Sequence, residues 1–106
     1  MASRISPIGR VIGGKYESHF LFWLIDKDKT EYFIISPAQR LRIGMLVQLD
    51  DNPIDCKLYL DDIVRVEQKD EAFLHEDLDI YSKNEGKIPL RVNREAAERL
   101  KSATNP

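Results

Sequence analysis

Four groups of residues have chemical reach. The first is Gly9-Arg10-Val11-Ile12-Gly13-Gly14-Lys15-Tyr16, which follows the spacing G-x-x-x-x-G-K and then breaks it. A phosphate loop ends on Ser or Thr, whose hydroxyl holds Mg²⁺, and leads into a helix whose amides point at the phosphates. Tyr16 stands where that hydroxyl is needed, and residues 17–26 alternate with period two rather than 3.6. The run reads as a strand ending in a Gly-Gly turn, not as a nucleotide site.

The second group is His19, Cys56 and His75, which have no metal-ligand spacing. Cys56 has no histidine near it in sequence that could serve as its base. The third group is Asp50-Asp51 and Asp61-Asp62. Adjacent residues of a strand point to opposite faces, so each pair reads as turn chemistry rather than as an acid/base couple. No metal, cofactor or small-molecule substrate is expected, and the chain reads as a non-enzyme. The fourth group is Arg4, Arg10, Lys15, Arg40 and Arg42, with Trp23 and Tyr32 as stacking platforms. A basic groove with aromatics is how single-stranded nucleic acid is held, so an OB-type barrel binding single-stranded DNA or RNA is one expectation.

Charge weighs against it. The net charge of −2 is uneven: residues 1–50 hold seven basic and five acidic side chains, residues 51–106 nine and thirteen. An acidic half does not favour a broad phosphate-binding surface. A basic half beside an acidic half suits nucleic acid at one end or head-to-tail self-association, and the plainer reading is ordinary solvated charge.

The elements that must carry these residues are mostly strands. Residues 5–12 read as a first strand, with Pro7 near its start where a missing N–H is tolerated. Residues 18–26 form the strongest strand, with Phe20, Phe22 and Leu24 on one face and Leu21, Trp23 and Ile25 on the other. A strand apolar on both faces is covered on both. One face should be core. The other, Leu21, Trp23 and Ile25, with Tyr32 and Ile34 of the next strand, is the expected partner-binding surface. Residues 31–36 return as a strand, and Pro37-Ala38-Gln39 turns a corner. Residues 40–50 form the strand the sheet closes around, entered through Gly44. Asp50-Asp51-Asn52-Pro53 is a turn. Residues 57–67 close the sheet, bending at Asp61-Asp62.

Beyond residue 68 the chain turns acidic. Residues 78–81 and 87–92 predict a hairpin through Asn84-Glu85-Gly86, with Gly86 left-handed. Asn93 is an N-cap for a helix over 94–102, whose apolar stripe is Ala96, Ala97 and Leu100. That helix is too short to stand alone and must dock.

A chain of 106 residues, 42% hydrophobic and 32% charged, fits one small core. The fold expected is mainly β: a small closed or partly open β-barrel of five to seven strands, HAS-, OB- or SH3-like, with a short C-terminal α-helix. Residues 1–68 would make the barrel and 69–106 an appendage, packed on it or leading out of it. The lone cysteine fits a reducing cytoplasm. The start lacks a signal-peptide pattern, and no apolar run approaches a membrane span.

The order Ile8-Gly9-Arg10-Val11-Ile12-Gly13, then Phe20-Leu21-Phe22, then Leu41-Arg42-Ile43-Gly44-Met45-Leu46-Val47, then Leu60-Asp61-Asp62-Ile63-Val64-Arg65-Val66 resembles a HAS-barrel. That is the small barrel at the N-terminus of HerA-type DNA translocases and of rotary ATP synthase α and β subunits. The likeness covers residues 5–67 and departs from the family at Met45 and Asp62. It implies a role in assembly: such barrels ring a hexameric ATPase and dock partners such as the NurA nuclease. The expectation is therefore a non-catalytic module for oligomerisation or partner docking, tied to a DNA-processing ATPase whose motor would lie downstream.

Overall fold

The structure, a computed structural model, describes residues 3–26, 28–43 and 53–104. Among the described residues, nine strands and one α-helix follow in order: β1 (Ser3–Ile5), β2 (Gly9–Val11), β3 (Phe20–Ile25), β4 (Glu31–Ser36), β5 (Leu41–Ile43), β6 (Cys56–Tyr59), β7 (Ile63–Glu71), β8 (His75–Ser82), β9 (Gly86–Asn93) and α1 (Arg94–Thr104). The fold is mainly β, a partly open barrel with a C-terminal helix. The expected single strand over 5–12 is divided at Ser6-Pro7, because proline supplies no donor to a ladder. The expected single strand over 57–67 is instead divided by a 3-10 turn at Leu60–Asp62 into β6, which pairs with β4, and β7, which pairs with β8 at the other edge of the sheet. The expected strand over 40–50 is described only at its start, as β5; its remainder, with the Asp50-Asp51 turn, lies outside the described residues.

Seven strands form one antiparallel sheet in the order β6-β4-β3-β2-β9-β8-β7, and β1 pairs with β5 in a separate ribbon. The segment after residue 68 is not an appendage. β2 lies between β3 and β9, so the late hairpin extends the sheet that the early strands begin. The hairpin forms through Gly86 at φ 71°, longer than expected at both ends. The physical reason is hydrogen bonding: β2 needs a partner on its free edge, and β9 supplies it in register from Gly9–Val92 to Val11–Leu90.

Two cores lie on opposite faces of the sheet. The larger gathers Leu21, Phe33, Ile35, Leu58, Leu78, Ile80, Leu90 and Val92 beneath α1, which contributes Ala96, Ala97 and Leu100. Small residues let the helix axis lie close to the sheet. The Asn93 side-chain oxygen accepts from the Ala96 N–H at 2.8 Å, fixing the helix start as a cap should. Arg99 pairs with Glu31, tying the helix to β4. The smaller core gathers Phe22, Leu24, Tyr32, Ile34 and Leu41, with Ile5 packed against it, so the β1–β5 ribbon covers the opposite face at β3 and β4. Leu21 on one face of β3, and Phe22 and Leu24 on the other, are therefore buried by this chain itself.

Candidate docking surface

Between β7 and β8 the chain turns through Ala72-Phe73-Leu74, which contains neither glycine nor proline. The Ala72 N–H donates to the His75 carbonyl at 2.9 Å and closes the turn. Phe73 is 85% exposed and Leu74 73% exposed. Isolated apolar residues on a surface need no explanation, but two adjacent ones at a hairpin tip do. The tip is also held in place. Arg94, the first residue of α1, pairs with the Glu71 carboxylate and donates to the Phe73 carbonyl at 3.4 Å. A tip fixed before contact loses less entropy on binding.

Beside the tip lies an open groove of about 420 Å³, bounded by Ile8, Arg10, Phe20, Leu74 and His75. Its floor depends on Gly9. A Cβ at that position would meet the Arg91 carbonyl oxygen at 2.2 Å and the Val92 Cα at 2.8 Å, so only hydrogen fits where β2 crosses β9. Ile8 is fixed from both sides, its N–H on the Leu21 carbonyl at 2.8 Å and its carbonyl under the Asn93 N–H at 2.9 Å.

Most charges nearby are already paired. Arg91 grips Asp77 with two hydrogen bonds, at 2.8 and 3.0 Å, and that fork holds the Asp77 carboxyl below its ordinary range. Asp79 lies between Lys69 and Lys87. Lys101 reaches the buried Glu76 at 2.6 Å. Arg10, in the groove, has no acidic partner among the described residues. The groove thus offers apolar walls and one free cation.

The residues expected to bind a partner do not form one surface. Leu21 is buried in the larger core; Trp23 is half-buried against it, its ring stacked on Phe33 at 6.1 Å between centroids. Tyr32 and Ile34 are buried in the smaller core, across the sheet. Ile25 alone is exposed. The expectation assigned the second face of β3 to a partner; of that face Leu21 lies in this chain's own larger core, Trp23 is half-buried and Ile25 is exposed. The Phe73–Leu74 pair lies in a stretch whose acidic flanks, Asp70, Glu71, Glu76 and Asp77, obscured a hairpin turn. Its signal was the adjacency of two large apolar residues between strand ends with no glycine or proline to turn on.

The basic residues are dispersed as well. Arg10 lines the groove, Lys15 lies over the Tyr16 ring at 5.2 Å, and Arg40 is exposed in the corner after β4. Arg4 and Arg42 are backbone register partners in the β1–β5 ribbon. Neither Trp23 nor Tyr32 presents a free ring face on a basic stripe; Lys57 caps Tyr32 at 4.5 Å.

Gly9–Val11 is a strand, and the G-x-x-x-x-G-K run ends in a 3-10 turn at Gly14–Tyr16 with β3 after it, not a helix. The Tyr16 hydroxyl donates to Glu85 at 3.0 Å. Burial pushes the Cys56 thiol up to about 11, which keeps it neutral and a poor nucleophile near neutrality. His19 bridges to Asp55 at 2.5 Å. Among the described residues no group of three or more His, Cys, Asp or Glu could hold a metal, and no helix is long and apolar enough to cross a membrane. Comparison with protein-family models, curated proteins and solved structures returns no match to this chain.

Proposed function

We infer that this chain is a protein-docking module, with the clamped Phe73–Leu74 tip and the groove beside it as the contact surface. One observation carries the reading: two large apolar side chains stand in water at a turn that Arg94 contacts through Glu71 and the Phe73 carbonyl. Exposing such a pair gives the folded monomer nothing, and covering it on a partner releases water from apolar surface. The chemistry of the site is that of recognition. It has apolar walls, a free arginine and no nucleophile poised beside a base.

The system the module serves is drawn from the HAS-barrel resemblance of residues 5–67, and it is assembly of a DNA-processing ATPase or its nuclease partner. The motif order in the sequence supports this, and a partly open barrel is compatible with it. The test is the size of the native assembly. In extracts of cells making the wild-type chain, it should elute well above its 12.3 kDa mass. With Phe73→Ala and Leu74→Ala together, the chain should elute as a monomer with an unchanged circular dichroism spectrum. Equal elution of the two proteins overturns the reading. Tight, salt-sensitive binding of a labelled oligonucleotide would replace it with nucleic-acid recognition.

A further inference from the structure

Resting on the docking reading, the register of the sheet points to a particular partner. Cross-strand pairing places Arg10 of β2 beside Arg91 of β9, Arg91 beside Asp77 of β8, and Asp77 beside Asp70 of β7. Residues paired across strands share a face, so these four make one row on the face opposite α1. Arg10 and Asp70 are exposed, and Arg91 and Asp77 partly so. Read across the strands, the row is positive, positive, negative, negative. Strands lie about 4.8 Å apart, so Arg10 and Asp70 stand roughly 14 Å from each other, at the two ends.

Such a row is complementary to itself when reversed. A twofold axis parallel to the strands, passing between Arg91 and Asp77, sets Arg10 of one copy opposite Asp70 of the other, and does so twice. The same rotation carries each hairpin tip from the β7–β8 side of its own sheet to the β2–β9 side of the other. The groove lies on that side. The occupant's chemistry fits it: Phe73 and Leu74 meet the apolar walls at Ile8 and Phe20, and the carboxylate of Asp70, which precedes them, meets Arg10, which has no acidic partner among the described residues. A single rotation therefore satisfies both the charge row and the apolar tip.

We propose that the partner is a second copy of this chain, joined about a twofold axis with each Phe73–Leu74 tip in the other's groove and Arg10 paired with Asp70 across the interface. Closure is complete with two copies, because the same patch serves both sides.

Sedimentation velocity on the full chain tests this. The wild type should pass from monomer to dimer as concentration rises. Arg10→Glu and Asp70→Arg should each weaken dimerisation by about tenfold or more, since each reverses a charge pair that occurs twice. An equimolar mixture of the two variants should regain wild-type dimerisation. It holds one native Arg10–Asp70 contact and one with the charges exchanged. A wild type that stays monomeric at every concentration overturns the proposal, and so does a mixture no tighter than either variant alone. The wild-type run needs no substitution, so a misfolded variant cannot rescue the idea. If the purified chain is monomeric while Phe73→Ala with Leu74→Ala still dissolves the assembly in extracts, docking stands and self-pairing falls. If neither readout responds, both fall.

Discussion

Lys101→Ala should be among the most damaging single changes outside the apolar core. Glu76 is only 1% exposed, on the face of β8 beneath α1. One of its oxygens accepts from the Lys101 ammonium at 2.6 Å, and the other has no hydrogen-bond partner among the described residues. The hydrogen bond to Glu76 holds the Lys101 ammonium above the ordinary lysine range. Removing the lysine leaves a carboxylate out of reach of water without the cation that compensates it, which costs about 3–5 kcal/mol. The lysine side chain is 27% exposed, so water can partly replace it, and the low end, about 3 kcal/mol, is expected. Helix propensity does not add to the loss, because alanine is the best helix former. For a domain of this size the melting temperature should fall by roughly 12–20 °C. Urea unfolding at neutral pH, followed by circular dichroism, measures the difference directly. Adding Glu76→Gln to Lys101→Ala removes the stranded charge and should recover most of the loss. A cost below about 1 kcal/mol, or no recovery in the double variant, would refute the claim that a buried ion pair holds α1 to β8.

Other consequences are equally accessible. Gly9→Ala drives a methyl group into the β9 backbone and should cost at least about 2 kcal/mol by the same urea assay; a neutral effect would show that β2 and β9 are not so close. The Asp77 carboxyl is depressed in the folded state by Arg91, so its contribution is present above the unfolded value and lost as pH falls through the folded one. The stability gap between wild type and Asp77→Asn should therefore be constant near neutrality and shrink between about pH 5 and pH 2, and a gap that widens with acid would contradict the assignment. Cys56 is buried with its thiol pushed up to about 11, so at pH 8 it should react with a disulfide reagent far more slowly in the native chain than in urea. Equal rates would mean the thiol is open to solvent.

Where one physical signal dominated, the sequence could be read directly. Asn93 as a cap, the Ala96, Ala97 and Leu100 stripe and the left-handed Gly86 each rest on local chemistry, and each stands where that chemistry places it. The interruption at Asp61-Asp62 is of the same kind, though there the strand ends rather than bends. Long-range pairing was less accessible. Period-two alternation marks β3 as apolar on both faces, but it does not say what covers each face. The sequence of β9 likewise carries no mark that its partner is β2, some eighty residues earlier. That pairing joins the late hairpin to the sheet of the early strands and brings its residues into the core that buries Leu21. The site was missed for a related reason. Phe73 and Leu74 matter through their exposure, and exposure depends on β7 running on to Glu71 despite a run of charged residues that are poor strand formers.

The docking claim is tested most directly by a photo-reactive phenylalanine analogue placed at position 73 in the cell, beside a control at Val64, which is also exposed but lies on the β7 edge away from the tip. The account predicts a discrete protein adduct at 73 on irradiation, its mass that of two chains if the partner is a second copy, with little at 64. Equal, diffuse labelling at both positions would contradict it.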